Sequence, residues 1–144
     1  MTAGGADPAE ALQALGWKPR ELPGFAARFG PLWTRQEAQG WAYGVLAQQE
    51  HLNPAGAVHG GALTALLDHA LSAIAWQCLD RRPCVTVQLD AQFLNPAAAG
   101  DFLVARGQLV QATASLAFLR GQVSVDDRLV VQGSAVMKIQ GPRR

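Results

Sequence analysis

Residues 60–79 read Gly-Gly-Ala-Leu-Thr-Ala-Leu-Leu-Asp-His-Ala-Leu-Ser-Ala-Ile-Ala-Trp-Gln-Cys-Leu, and this stretch decides the fold. Leu63, Leu66, Leu67, Ala70, Leu71 and Ile74 recur at the spacing of one helical face. A surface helix would set charge on the face opposite. Here that face offers Gly61, Ala65, Asp68, Ser72 and Ala75, and no Lys, Arg or Glu occurs from 52 to 80. A helix that is apolar or small all round is a buried one, and about 20 residues of it span roughly 30 Å. That length would also cross a bilayer. Asp68 and His69 at its centre, with amphipathic strands elsewhere, argue against insertion and against a membrane partner.

Strands dominate the rest. From Val85 to Phe93 the odd positions are Val85, Val87, Leu89, Ala91 and Phe93, and the even ones are Thr86, Gln88, Asp90 and Gln92. This alternation predicts a strand with one apolar face. Asn95-Pro96 and Gly100-Asp101 bracket a turn. Strands are predicted at 102–111, 116–125 and 129–139, with Asp126-Asp127 as a hairpin corner. In the last of them Leu129, Val131, Ala135, Met137 and Ile139 share a face. Trp41–Gln48 and Leu32–Gln36 supply earlier strands. Short connections imply a mostly antiparallel sheet. The expected fold is α+β, an antiparallel sheet wrapped around one long central helix.

Before it, residues 1–6 are small and Gly-rich, a composition that frays. Pro8–Leu15 can form a short helix with Asp7 as its N-cap, Pro8 in the first helical position and Gly16 as its stop. Residues 17–31 carry Pro19, Pro23, Gly24, Gly30 and Pro31 and read as irregular. Residues 1–30 are therefore an N-terminal helix and cover, and 31–140 the main domain.

Composition narrows the function. The 144 residues are 49% hydrophobic and only 16% charged, against about 25% charged in typical chains. A surface short of charge fits a chain whose copies cover one another. The net charge of +1 and the lack of a basic stripe argue against a nucleic-acid partner. The basic pairs Arg81-Arg82 and Arg143-Arg144 read as solvated corners or ends. Cys78 and Cys84 lack CxxC spacing and read as free thiols rather than a disulfide or zinc site. The N-terminus has no basic-then-apolar pattern, so the expected setting is the cytoplasm.

Two features could carry chemistry. Asp68 is a carboxylate in a buried helix, costly unless paired or used; Ser72 lies one turn on and Gly61 two turns back on the same face. Asn53 to Gly61, Asn-Pro-Ala-Gly-Ala-Val-His-Gly-Gly, enters the helix through a loop. His59-Gly60-Gly61 sets open backbone N–H groups at a helix N-terminus, where negative charge is favoured. A wet seam and a joint needing small residues would explain each feature alone. Together they supply what thioester hydrolysis needs, a donor for the oxyanion and a carboxylate to attack or to activate water. No G-x-S-x-G elbow occurs. The histidines at 51, 59 and 69 lack i, i+4 pairing, which argues against a zinc centre.

Asn53-x-x-Gly56-x-x-His59-Gly60-Gly61, a helix with Leu66-Leu67-Asp68, and the strand Val85-Thr-Val-Gln-Leu-Asp-Ala-Gln-Phe-Leu-Asn-Pro-Ala97 followed by Gly100-Asp101 resemble the hotdog-fold thioesterases of the phenylacetate-degradation type. The resemblance runs from about Gly30 to Ile139 and implies a hotdog thioesterase domain over 31–140. It also implies roles. Gly60 matches the residue whose N–H polarises the thioester carbonyl, Asn53 the one that orients nucleophile or water, and His59 the one near the sulfur. Asp68 matches the general base or nucleophile. Thr86 matches a hydroxyl that places the attacking water, and Ser72 one found a turn beyond the acid. In such proteins the site lies between two subunits, with Asn53, His59 and Gly60 from one chain and Asp68 and Thr86 from its neighbour; pairs of dimers commonly form tetramers. This chain departs from the pattern at Thr113-Ala114-Ser115, where relatives often carry a Gly-Arg/Lys-Ser turn, and at Gln88, where an acid is common.

The implied reaction is hydrolysis of an acyl-CoA to acid and CoA, without metal or redox cofactor. Gly61, Leu63, Leu67, Ser72, Trp76 and the 85–93 strand are the expected substrate contacts, with Arg120 and Arg128 as candidate CoA phosphate partners. Two alternatives stay open: a hydratase/dehydratase pairing His59 with Asp68, and an acyl-CoA-binding protein without turnover.

Overall fold

The computed structural model describes residues 4–141, so Arg143-Arg144 and the first three residues lie outside the described part. Helix α1 spans Pro8–Ala14, with Asp7 accepting the Ala9 N–H and Gly16 left-handed beyond its end. The cover is less irregular than its prolines suggest. Lys18–Arg20 forms a three-residue strand β1, and Gly24–Phe29 a 3₁₀ helix. Pro19 is tolerated because β1 is an edge strand, which has one side free of ladder bonds.

The remaining strands are β2 Leu32–Glu37, β3 Gly40–Leu46, β4 Cys84–Phe93, β5 Phe102–Ala112, β6 Leu116–Val125 and β7 Arg128–Ile139. They form one seven-stranded sheet in the order β1-β2-β3-β5-β6-β7-β4, every neighbouring pair antiparallel. The long helix α2, Gly60–Cys78, packs on β3 to β7. Its predicted stripe is the core: Leu63, Leu66, Leu67, Ala70, Leu71 and Ile74 are all buried, and Ala75 joins them rather than the outer face.

A row of glycines admits that stripe. Gly107, Gly121 and Gly133 are direct cross-strand partners on β5, β6 and β7, continued by Ala91 on β4. A Cβ at Gly121 would lie 2.8 Å from Leu71 Cδ2 and 2.7 Å from the Arg106 carbonyl, and one at Gly133 2.9 Å from Leu67 Cδ2. The leucines of α2 thus press onto bare backbone, and the sheet curls tightly around them.

Strand β4 breaks its own alternation. Thr86 pairs with Met137 and Gln88 with Val136, so Val87 is an extra, bulged residue. Leu89 and Ala91 stay on the helix side, but Val85 and Val87 turn outward, 56% and 62% exposed, and Thr86 turns in. The expected single apolar face from Val85 to Phe93 is therefore wrong for its first half. A similar shift in β7 adds Val130 to the core beside the predicted Val131.

On the outer surface Glu37 joins Arg35 and Arg106, at 2.6 and 2.7 Å. Arg35 lies 4.4 Å over the Trp17 ring, tying the N-terminal segment to the sheet. These two arginines hold the Glu37 carboxyl down at about 2, against partial burial that works the other way.

Candidate active site

The loop before α2 is built around Asn53. Its side-chain oxygen accepts the N–H groups of Ala55 and Ala57 at 2.9 and 3.1 Å, and its own N–H reaches the Ala57 carbonyl at 2.7 Å. Gly56, at φ +90°, makes the return. Asn53 thus organises the loop, leaving only its amide N–H groups for a ligand. His51 is structural: Nδ1 accepts the Gln48 N–H at 3.0 Å, so Nε2 donates to the Arg28 carbonyl at 2.8 Å, anchoring the cover. His69 is half-buried against Phe29 and Tyr43, and burial pushes its pKa down.

At the start of α2 the backbone donors are distributed unevenly. His59 is the N-cap; its Nδ1 accepts the Gly61 N–H at 2.7 Å, and its carbonyl accepts those of Ala62 and Leu63 at 2.9 and 3.1 Å. No acceptor among the described residues takes the Gly60 N–H. Of the four donors every helix leaves open at its start, one remains, at the positive end of the dipole. With Nδ1 accepting, the exposed His59 ring carries its proton on Nε2. Phe93, 54% exposed, stands over Gly60, where a Cβ would lie 3.4 Å from its ring.

Further along the outer face, Thr86 donates to Asp68 Oδ1 at 2.6 Å. The bulge makes this contact, because regular alternation would send Thr86 to the opposite side with Gln88 and Asp90. Ser72, one turn on, points its hydroxyl at Met137 Sδ, 3.8 Å away. Trp76, another turn on, is 39% exposed with Arg81 5.4 Å above its ring. Asp68, Ser72 and Trp76 thus form one row.

Residues 55–134 match the thioesterase superfamily, a span that includes His59, Asp68 and Thr86. The chain belongs to the thioesterase superfamily. This agrees with the expected thioester hydrolase and with the resemblance to the phenylacetate-degradation type. A candidate esterase of Pseudomonas aeruginosa is 32% identical over 112 residues, 76% of this chain and 84% of that protein. Human acyl-coenzyme A thioesterase 13 is 32% identical over 89 residues, 60% of this chain and 63% of its own length, so this thioesterase spans under two thirds of that relative. Among solved structures, zebrafish thioesterase superfamily member 2 superposes with a TM-score of 0.76 at 21% identity, covering 83% of this chain and 89% of its own. A variant of the Thermus thermophilus phenylacetic acid degradation protein PaaI gives 0.67 at 21% identity, over 91% and 99%. A Bacillus halodurans protein solved with CoA gives 0.64 at 24% identity, over 68% and 70%. These likenesses establish the hotdog fold.

The thioesterase chain gathers the residues singled out from sequence into two groups. Asn53, His59, Gly60 and Gly61 lie around the start of α2, and Asp68, Thr86, Ser72 and Trp76 lie further along it. Gly60 and Asp68 are eight helical residues apart, about 12 Å, so within one chain they cannot hold the same carbonyl. The same separation, with His59 Nδ1 taken by Gly61, keeps His59 from pairing with Asp68 inside one chain. Leu63 and Leu67, expected as pocket walls, are 3% and 0% exposed and face the sheet; the stripe that makes them core removes them from the site. Arg120 lies on the sheet face away from α2. Arg128 sits beside Asp101 at 3.6 Å and donates to the Pro96 carbonyl. Phe93 is the site neighbour that alternation hides, since it counts there only as one more core position.

Proposed function

We propose that this thioesterase hydrolyses acyl-CoA thioesters at a site completed by a second copy of the chain. Water and thioester give carboxylic acid and CoA thiol, a balance that requires no metal or redox cofactor. The Gly60 N–H of one copy receives the developing oxyanion, while Asp68 of the other attacks the carbonyl or takes a proton from water. Thr86 holds Oδ1 of Asp68, leaving its second oxygen for the reaction. His59 Nε2–H and the Asn53 amide face the leaving sulfur and the incoming water, and Gly61, Ser72 and Trp76 contact the substrate. The observation that carries this reading is the Gly60 N–H, unclaimed among the described residues and set beyond the reach of its own chain's Asp68.

Two further observations support the second copy. Val85 and Val87 stand exposed on β4, an edge strand with an unpaired side, and Phe93 and Leu94 are exposed at its other end. Such an edge invites another strand. If twofold-related α2 helices run antiparallel with Gly60 beside the partner's Asp68, they cross midway, at residue 64, where Gly61 and Ala65 allow close approach. Dimers pairing into tetramers, and a cytoplasmic setting, belong to the same proposal.

The test is complementation. Gly60→Pro deletes the N–H at the first helical position, where proline is favoured, and His59 at ψ 135° already suits a following proline. Gly60→Pro and Asp68→Asn should each cut thiol release from acyl-CoA by at least about 10²-fold. Refolded together, they should recover about a quarter of wild-type activity, because half the dimers carry one intact site of two. No recovery in mixed oligomers would place both groups in one chain's site. Enoyl-CoA hydration without thiol release would favour the hydratase reading.

A further inference from the structure

Two adjacent glycines open α2, and the fold accounts for only one of them. A Cβ at Gly61 would lie 2.9 Å from His59 Nδ1, the atom that accepts its N–H, so the cap itself excludes a side chain there. Gly60 has no such reason. Its backbone is not left-handed, and the nearest atoms to a Cβ, outside its own turn, would be those of the Phe93 ring at 3.4 and 3.5 Å, an ordinary contact. A helix gains nothing in propensity from glycine over alanine. The bare Cα at position 60 thus keeps open a notch that the chain does not fill for itself.

The wall of that notch is an aromatic ring that stands outside the core. Phe93 ends β4 opposite Val131, and the chain behind it is fixed by Leu94 N–H on the Val130 carbonyl at 2.8 Å and by Asn95 Nδ2 on that of Leu129 at 2.7 Å. The ring is more than half exposed, and no other aromatic ring among the described residues stacks on it. An apolar ring fixed at its base and open at its face suits an apolar ligand. The two glycines also carry opposite walls: the polar His59 ring lies against Gly61, and the apolar Phe93 ring against Gly60.

We propose that Phe93 is a specificity-determining residue: its ring packs on the acyl carbon next to the thioester carbonyl, and the thioesterase selects acyl groups unbranched at that carbon. The inference rests on the acyl-CoA reading above, with the Gly60 N–H as oxyanion donor. A carbonyl oxygen about 2.9 Å from that nitrogen brings the next acyl carbon within about 5 Å of it. The Phe93 ring lies within about the same distance of the Gly60 Cα, since a Cβ there would already touch it. The carbonyl has two substituents. The leaving sulfur needs the N–H groups of His59 and Asn53, so the acyl carbon takes the apolar side, against Phe93. A methylene fits there beside the bare Cα of Gly60; a branch has to enter the ring or the helix backbone, and a closed apolar wall discriminates by one methyl group. Phe93 belongs to the same copy as Gly60, so the wall and the oxyanion donor come together.

The experiment measures thiol release from hexanoyl-CoA and 2-methylhexanoyl-CoA by wild type, Phe93→Ala, Gly60→Ala and the double variant, with oligomeric state and melting temperature recorded for each. Gly60→Ala keeps the N–H and adds one methyl in the notch. Wild type should prefer the straight chain. Phe93→Ala should cut that preference in kcat/KM about tenfold, by losing on hexanoyl-CoA while keeping its rate on the branched substrate. Gly60→Ala should lower kcat/KM for hexanoyl-CoA about tenfold. Phe93→Ala should relieve part of that loss, so that the double variant loses less than the product of the two single losses. No straight-chain preference in wild type, a preference unchanged in Phe93→Ala, equal losses on both substrates, or single losses that simply multiply would overturn the proposal. So would subunit dissociation in Phe93→Ala with equal losses, which would make the ring a contact between copies. Calorimetric titration of the matching ketones, in which CH₂ replaces the sulfur, separates the proposal from the hydrolase reading. If wild type releases thiol from neither substrate, that reading fails. A preference for the unbranched ketone that Phe93→Ala erases then keeps the wall, and any other result removes it.

Discussion

The two faces of α2 are opposites in how completely their groups are used. On the inner face Leu67 and Leu71 press onto the glycine row, and every stripe residue is buried. On the outer face, among the described residues, one backbone donor is unclaimed, a carboxylate has a single hydroxyl partner, and an indole is partly exposed. One face is saturated and the other is left incomplete. A helix can do both because 3.6 residues per turn divide it into sides that answer to different neighbours. The inner side determines where the outer side is held.

The comparison breaks if either face can be exchanged for the other's kind of effect. The largest change should come from Asp68→Asn, which keeps shape and the Thr86 hydroxyl as a neighbour. Its kcat for thiol release should fall about 10²–10⁴-fold with the unfolding midpoint nearly unmoved. Near-wild-type turnover would remove Asp68 from the chemistry. On the inner face Gly121→Ala forces a methyl against Leu71 and the Arg106 carbonyl, and should cost about 1–3 kcal/mol. Chemical denaturation measures this; kcat per folded molecule should hold, and a catalytic loss without destabilisation would show the faces to be less separate. The smallest effect is remote from α2. Glu37 has its pKa held at about 2 in the folded state, below its ordinary 4.5, so its ion pairs stabilise above pH 4.5 and that stability is lost as pH falls through about 2. For so accessible a cluster the contribution is on the order of 1 kcal/mol. Melting curves from pH 6 to pH 2 should fall more steeply for wild type than for Glu37→Gln, and parallel curves would remove the cluster from the stability of the fold.

Much of this is legible in the sequence, for a local reason. The stripe from Leu63 to Ile74 and the alternation in β5 to β7 repeat within a few residues, so the elements declare themselves. Asp68 and the Gly60 N-terminus are legible because both violate what a buried helix should contain. Less visible are features decided by partners far along the chain. The bulge at Val87 depends on pairing with Met137 and Val136, so Thr86 reads as outward by alternation and only the resemblance brings it to the site. Strand β1 is three residues containing a proline, too short for any period.

The glycine row has a consequence for how such a protein could change its substrate. Side chains between a helix and a sheet normally act as adjustable spacers, and families drift by trading one size for another. Here the spacer has been reduced to main chain, which has no smaller form to drift towards and no room for a larger one. The altitude of α2 above the sheet is a fixed reference. Diversification is thereby channelled to the open row at Ser72 and Trp76 and to Phe93, all of which can vary without disturbing where Asp68 stands.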